Sequence, residues 1–109
     1  MTTEPIPSIG LMFNPAHPGE SIKMSYIQDA GLSVTEIAAA VGMAKSTLSR
    51  ILAGKARLTA DVAIRLEKAL GVSAGLLLRM QVNYDEWQAR QHSDLSSVRE
   101  IDLTDLTTA

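Results

Sequence analysis

SVTEIAAAVGMAKSTLSRILAG, residues 33 to 54, is the stretch whose reading decides the fold of this chain. It reads as two short helices joined by a tight turn. Ser33 stands three residues before Glu36, the spacing of a capping box, in which each side chain satisfies an orphan backbone donor at a helix start. Gly42 ends the first helix, because glycine reaches the left-handed conformation at little steric cost and lets a second helix begin almost at once at a steep angle. Ile37, Val41, Met43, Leu48 and Ile51 then face inward together, and Ala38 is small enough for the two helices to touch. This is the spacing of a helix-turn-helix.

The outward face of the second helix carries Lys45, Ser46, Ser49 and Arg50, with Thr47 beside them. All five side chains form hydrogen bonds. A helix fits the major groove of B-DNA, where Arg or Lys donates to guanine O6 and N7, and Ser and Thr bond either way. These five are therefore the expected base contacts. Lys55, Arg57 and Thr59, just beyond, are expected to position the protein through phosphates. A purely structural helical hairpin is the alternative.

A chain of 109 residues has room for one domain with short arms. Hydrophobic residues make up 46% and aromatics only 4%, so the core must come from Ala, Leu, Ile, Val and Met, as in small helical bundles. Cysteine is absent, which excludes a disulfide framework, a Cys-based zinc site and a thiol nucleophile, and fits a reducing cytoplasm. No apolar run approaches membrane-spanning length, and MTTEPIPSIG lacks the regions of a secretory signal, so a cytoplasmic protein with no membrane partner is expected.

The formal charge of −2 argues at first against a nucleic-acid partner, but its distribution matters more. Residues 43 to 58 hold Lys45, Arg50, Lys55 and Arg57 with no acidic residue; residues 94 to 109 hold Asp94, Glu100, Asp102 and Asp105 against Arg99 alone. One surface is basic and the C-terminal end acidic.

Outward from the motif, residues 1–17 contain Pro5, Pro7, Gly10 and Pro15, which make a long helix unfavourable, yet also Ile6, Ile9, Leu11, Met12 and Phe13. An N-terminal arm that packs in part on a neighbour is expected. His17-Pro18-Gly19-Glu20 opens a helix with Pro18 at its first position, an apolar face of Ile22, Tyr26 and Ile27, and a stop near Gly31. Thr59 caps a fourth helix in which Val62, Leu66, Ala69 and Leu70 recur at helical spacing until Gly71. Ser73 caps a fifth, running to about His92.

At about 100° per residue, Leu76, Leu77, Met80, Tyr84 and Trp87 form one stripe of this fifth helix, directed at the bundle. Leu78, Val82 and Ala89 form a second stripe on nearly the opposite side, which points to a dimer interface rather than to scattered exposed apolar residues. The organisation read from the chain is thus an N-terminal arm at 1–17, a DNA-binding and dimerisation domain at 18–92 and an acidic tail at 93–109, which is disordered or orders on a partner, Ile101 to Leu106 being able to add as a strand. An enzyme is not expected. His17 and His92 are far apart and unpaired with other ligand or acid-base residues, no Gly-rich phosphate loop appears, and neither catalytic residues, metal nor cofactor is foreseen.

FNPAHPGE, then LSVTEIAAAVGMAKSTLSRILAGKARLTADVAIRLEKALGVS, then NYDEWQAR, together covering roughly residues 12 to 90, resemble the HigA-type antitoxins, within the XRE (lambda-repressor-like) helix-turn-helix regulators. The resemblance implies an all-α, five-helix lambda-repressor-like bundle. It implies a homodimer on a palindromic operator in double-stranded DNA, repressing its own operon and neutralising a HigB-type ribonuclease toxin; a stand-alone regulator without a toxin is the alternative. Lys45, Ser46, Ser49 and Arg50 match the family's base-facing positions, and Ser33 and Thr35 match phosphate-contacting ones. The chain departs from the pattern at Ala44, where Ser or Thr commonly caps the recognition helix, a loss of about 1 kcal/mol. It departs again at Ala74-Gly75 and Leu77, where Pro-Glu and Trp are more usual.

Overall fold

Five helices follow one another in a computed structural model that describes residues 14–104. Helix α1 is α-helical over Pro18–Ile22 and runs on as a π-helix over Lys23–Asp29. It is followed by α2 (Val34–Val41), α3 (Lys45–Leu52), α4 (Ala60–Leu70) and α5 (Ala74–His92), with no strand among the described residues. The all-α helix-turn-helix architecture is the one expected. The π-helical half of α1 was not, and nothing in KMSYIQD marks it. The apolar residues of the N-terminal arm from Ile6 to Phe13, and Leu106 in the tail, lie outside the described residues.

The local start and stop chemistry explains where these helices lie. Ser33 Oγ accepts from the Glu36 N–H at 3.0 Å and Glu36 Oε1 accepts from the Ser33 N–H at 2.8 Å, so the capping box is complete. Gly42 adopts φ 70°, and the Met43 N–H bonds the Ala38 carbonyl at 3.0 Å while the Gly42 N–H bonds that of Ala39 at 3.4 Å, the Schellman closure of a helix end. Thr59 and Ser73 cap α4 and α5 by accepting from Val62 and Leu76 N–H groups. Ala44 stands at the start of α3 in the extended conformation of a cap, without a side-chain bond.

The core takes one or more side chains from every helix. Ile22, Ile37, Leu48, Leu66 and Leu77 are almost wholly buried, and so is Leu58 from the loop before α4. Gly19 brings α1 against the end of α3: a Cβ there would lie 1.8 Å from the Ile51 carbonyl oxygen, so no larger residue fits without moving a helix. His17 caps α1, its Nδ1 accepting from the Gly19 N–H at 2.9 Å, and its ring meets Tyr84 edge-on at 4.9 Å. Both contacts are structural.

Two helical faces are rotated from the sequence expectation. In α4 the buried side is Val62, Ala63 and Leu66, with Leu70 half-buried; Ala69 falls outside that arc and is exposed. In α5 the buried side is centred on Ala74, Leu77 and Gln81, which leaves Leu76 46% exposed. A count of apolar residues passes over Gln81, and it is this buried glutamine that turns the face.

Candidate nucleic-acid interface

Helix α3 buries Leu48, Ile51 and Leu52 and turns the remaining side outward. Lys45, Ser46, Thr47 and Arg50 are exposed there, with Ser49 half-buried among them. All five sequence-predicted base contacts therefore share the side of α3 away from the core. The division follows from helical spacing, since residues 48, 51 and 52 lie on one side of the cylinder.

The end of α3 is tied to the loop that follows. The Lys55 N–H donates to the Arg50 carbonyl at 2.9 Å, and the Arg50 guanidinium donates back to the Lys55 carbonyl at 3.3 Å. These reciprocal bonds hold the Arg50 guanidinium against the backbone of Lys55, and both residues are exposed. Among the described residues Ser33 and Thr59 cap α2 and α4 as acceptors only, which leaves each hydroxyl hydrogen for a phosphate oxygen. Thr35 is exposed in the first turn of α2.

Arg57 has a partner that sequence reading missed. Its guanidinium pairs with Asp85 of α5, Asp85 Oδ1 accepts from the Gln81 Nε2 at 2.9 Å, and Gln81 Oε1 accepts from the Leu58 N–H at 2.8 Å. The chain of bonds clamps the loop after α3 onto α5 and satisfies a buried amide that would otherwise cost free energy. It also neutralises part of the basic cluster: of the four cations there, Arg57 is held by a carboxylate. Arg65 was missed as well. It donates to the Val41 carbonyl at 2.8 Å and pairs with Asp61 at 2.8 Å, bracing the turn before α3 from α4.

The expected dimer residues sit differently from one another. Val82 is 60% exposed and Ala89 is exposed, whereas Leu78 is half-buried and packs against the core of its own chain. Leu78, Arg79, Val82 and Asn83 line a shallow depression on this side of α5. Among the described residues no cluster of His, Asp or Glu is arranged to hold a metal ion, and no helix is long and apolar enough to cross a membrane.

A braced turn that presents a helix rich in hydroxyls and cations defines a helix-turn-helix protein of the DNA-reading kind. A family model described as Helix-turn-helix matches residues 24–77. Virulence-associated protein A of Dichelobacter nodosus is 42% identical over 74 residues, 67% of this chain and 72% of that protein. The structure of antitoxin GraA superposes with a TM-score of 0.74 at 32% identity, covering 82% of this chain and 99% of GraA. The Pseudomonas aeruginosa antitoxin HigA, solved with the higBA promoter, superposes with a TM-score of 0.72 at 26% identity, covering 83% and 98%. The chain belongs to the XRE-type helix-turn-helix family of non-enzymatic DNA-binding proteins and is close to the HigA-type antitoxins.

Proposed function

We propose that this protein is a cytoplasmic antitoxin that binds a palindromic operator as a homodimer, represses its own operon and holds a HigB-type ribonuclease inactive. The observation that carries the DNA half is the outward row Lys45, Ser46, Thr47, Ser49 and Arg50 on α3, flanked by Lys55. Lys45 and Arg50 specify bases; Ser33, Thr35, Lys55, Arg57 and Thr59 set position through phosphates. The promoter-bound HigA relative supports the same reading. The toxin half rests on the exposed acidic residues Asp94, Glu100 and Asp102, which suit a partner that must itself be basic to handle RNA.

Binding of the purified protein to the DNA upstream of its own gene, measured against salt, tests this reading. Arg50→Ala is expected to lose about 1–3 kcal/mol of discrimination at one base pair while keeping affinity for non-cognate DNA. Lys55→Ala is expected to weaken binding on every sequence and to flatten the slope of log K against log salt by about 0.9. Equal affinity of wild type and both variants for all DNA would refute it. Co-purification with the product of the adjacent reading frame tests the toxin half; the absence of a small ribonuclease-like frame there would favour a stand-alone regulator.

A further inference from the structure

We infer that residues 95–103 of one copy lie along the outer side of α5 of a second copy, in the depression lined by Leu78, Arg79, Val82 and Asn83. The inference rests on the dimer proposed above and specifies what holds it together. The α5 surface alone is too small: a stable interface covers about 800 Å² and roughly 20–30 residues on each partner, and here Val82 and Ala89 are joined only by a Leu78 already half-buried in its own chain. The missing apolar surface is carried by the same polypeptide. Leu95, Val98, Ile101 and Leu103 are 66%, 67%, 68% and 57% exposed, an unusual density of uncovered branched side chains in so short a stretch.

The dimensions and chemistry match. Residues 95 to 103 span at most roughly 26 Å, less with the Leu95–Val98 turn in place, and α5 from Gly75 to Ala89 rises about 21 Å. Turns already shape the segment: Asp94 accepts from the Ser96 N–H at 3.0 Å, the Leu95 carbonyl from the Val98 N–H at 2.9 Å, and Asp102 from the Thr104 N–H at 2.9 Å. Less conformational freedom is then lost on docking. Arg79 at the edge of the depression suits the acidic segment, and the Asn83 amide can both donate to and accept from an extended backbone.

The chain has no cysteine, which makes the test clean. Full-length Val82→Cys protein is mixed with tagged full-length Leu95→Cys, Val98→Cys or Ile101→Cys protein and oxidised. At least one pair is expected to form an interchain disulfide. The exposed double variant Val98→Asp with Ile101→Asp is expected to weaken the dimer at least tenfold in sedimentation equilibrium with unchanged helical circular dichroism. Cross-links between Val82→Cys copies alone, with the double variant dimerising as wild type, would overturn the docking and leave the dimer intact. Wild-type protein that is monomeric at all concentrations would overturn both. A double variant that dimerises normally but no longer co-purifies with the ribonuclease would assign the segment to the toxin and overturn the inference.

Discussion

Arg57 and Asp85 show how one pair alters the electrostatics of the interface. A cation that neutralises a DNA phosphate releases a counterion, but a cation already paired with a carboxylate does so less completely. Asp85→Asn removes the competing charge and keeps an oxygen for the Gln81 amide. The variant is expected to bind every DNA sequence more tightly, by up to roughly fivefold for an exposed pair worth about 1 kcal/mol, and to steepen the salt dependence. In an Arg57→Ala background the same change is expected to do nothing, and a double-mutant cycle of affinities checks this. If Asp85→Asn has the same effect in both backgrounds, Asp85 acts on the field as a whole and not through Arg57. Neither this pair nor the Arg65 bonds to Val41 could be read from the sequence. The partners are 28 and 24 residues apart, and no local pattern links them. Ser33 with Glu36, Gly42 and Ser73 were legible because cap and turn chemistry acts within three or four residues.

At the scale of the element, helix boundaries followed the sequence closely while helix faces did not. Caps are local, so α2, α4 and α5 begin after Ser33, Thr59 and Ser73. Faces depend on what lies opposite, so the Leu58 amide drew Gln81 inward and Leu76 was displaced to the surface. Helix α3 is the one whose start lacks a cap. Ala44 already has the backbone conformation of one, at φ −63° and ψ 138°. Ala44→Ser is therefore expected to stabilise the fold by about 1 kcal/mol, visible as a higher denaturant midpoint with unchanged m-value. An unchanged midpoint would mean that other contacts already satisfy those N–H groups. Helix α1 has the opposite arrangement, a cap that can be lost. Burial lowers the His17 pKa below its usual 6.5, against the opposing hydrogen bond to the Ala56 carbonyl and the carboxylates of Glu20 and Asp85. The Nδ1 that caps Gly19 must also stay unprotonated to accept. Because the unfolded chain takes up the proton first, this contribution is complete above about pH 6.5 and falls as the pH drops through that value. Thermal unfolding between pH 7.5 and 5.5 is expected to show the loss, and His17→Asn, which can cap without titrating, is expected to flatten it. An equal slope in both proteins would place the titration elsewhere.

Over the whole molecule, the basic surface of α3 and the acidic segment beyond α5 belong to opposite tasks, and the twofold axis proposed through α5 joins them. The clamp from Leu58 through Gln81 and Asp85 to Arg57 fixes the DNA-reading end to α5, so in the proposed dimer the separation of the two recognition helices is set by how α5 packs. A rigid dimer reads two half-sites one helical turn apart, about 34 Å for 10–10.5 base pairs. Inserting about five base pairs between the half-sites turns the second half-site to the far side of the duplex, and binding should fall to that of a single subunit. Inserting about ten restores the facing but adds some 34 Å that a fixed α5 interface cannot span, so binding should stay weak. A dimer joined only by flexible tails would recover affinity at ten base pairs, because a flexible tether loses only modest effective concentration as its span grows. Fluorescence anisotropy on the natural, plus-five and plus-ten operators separates these outcomes: strong, weak and weak for a rigid pair, strong, weak and strong for a tethered one. Equal affinity for all three would mean that each copy reads DNA alone.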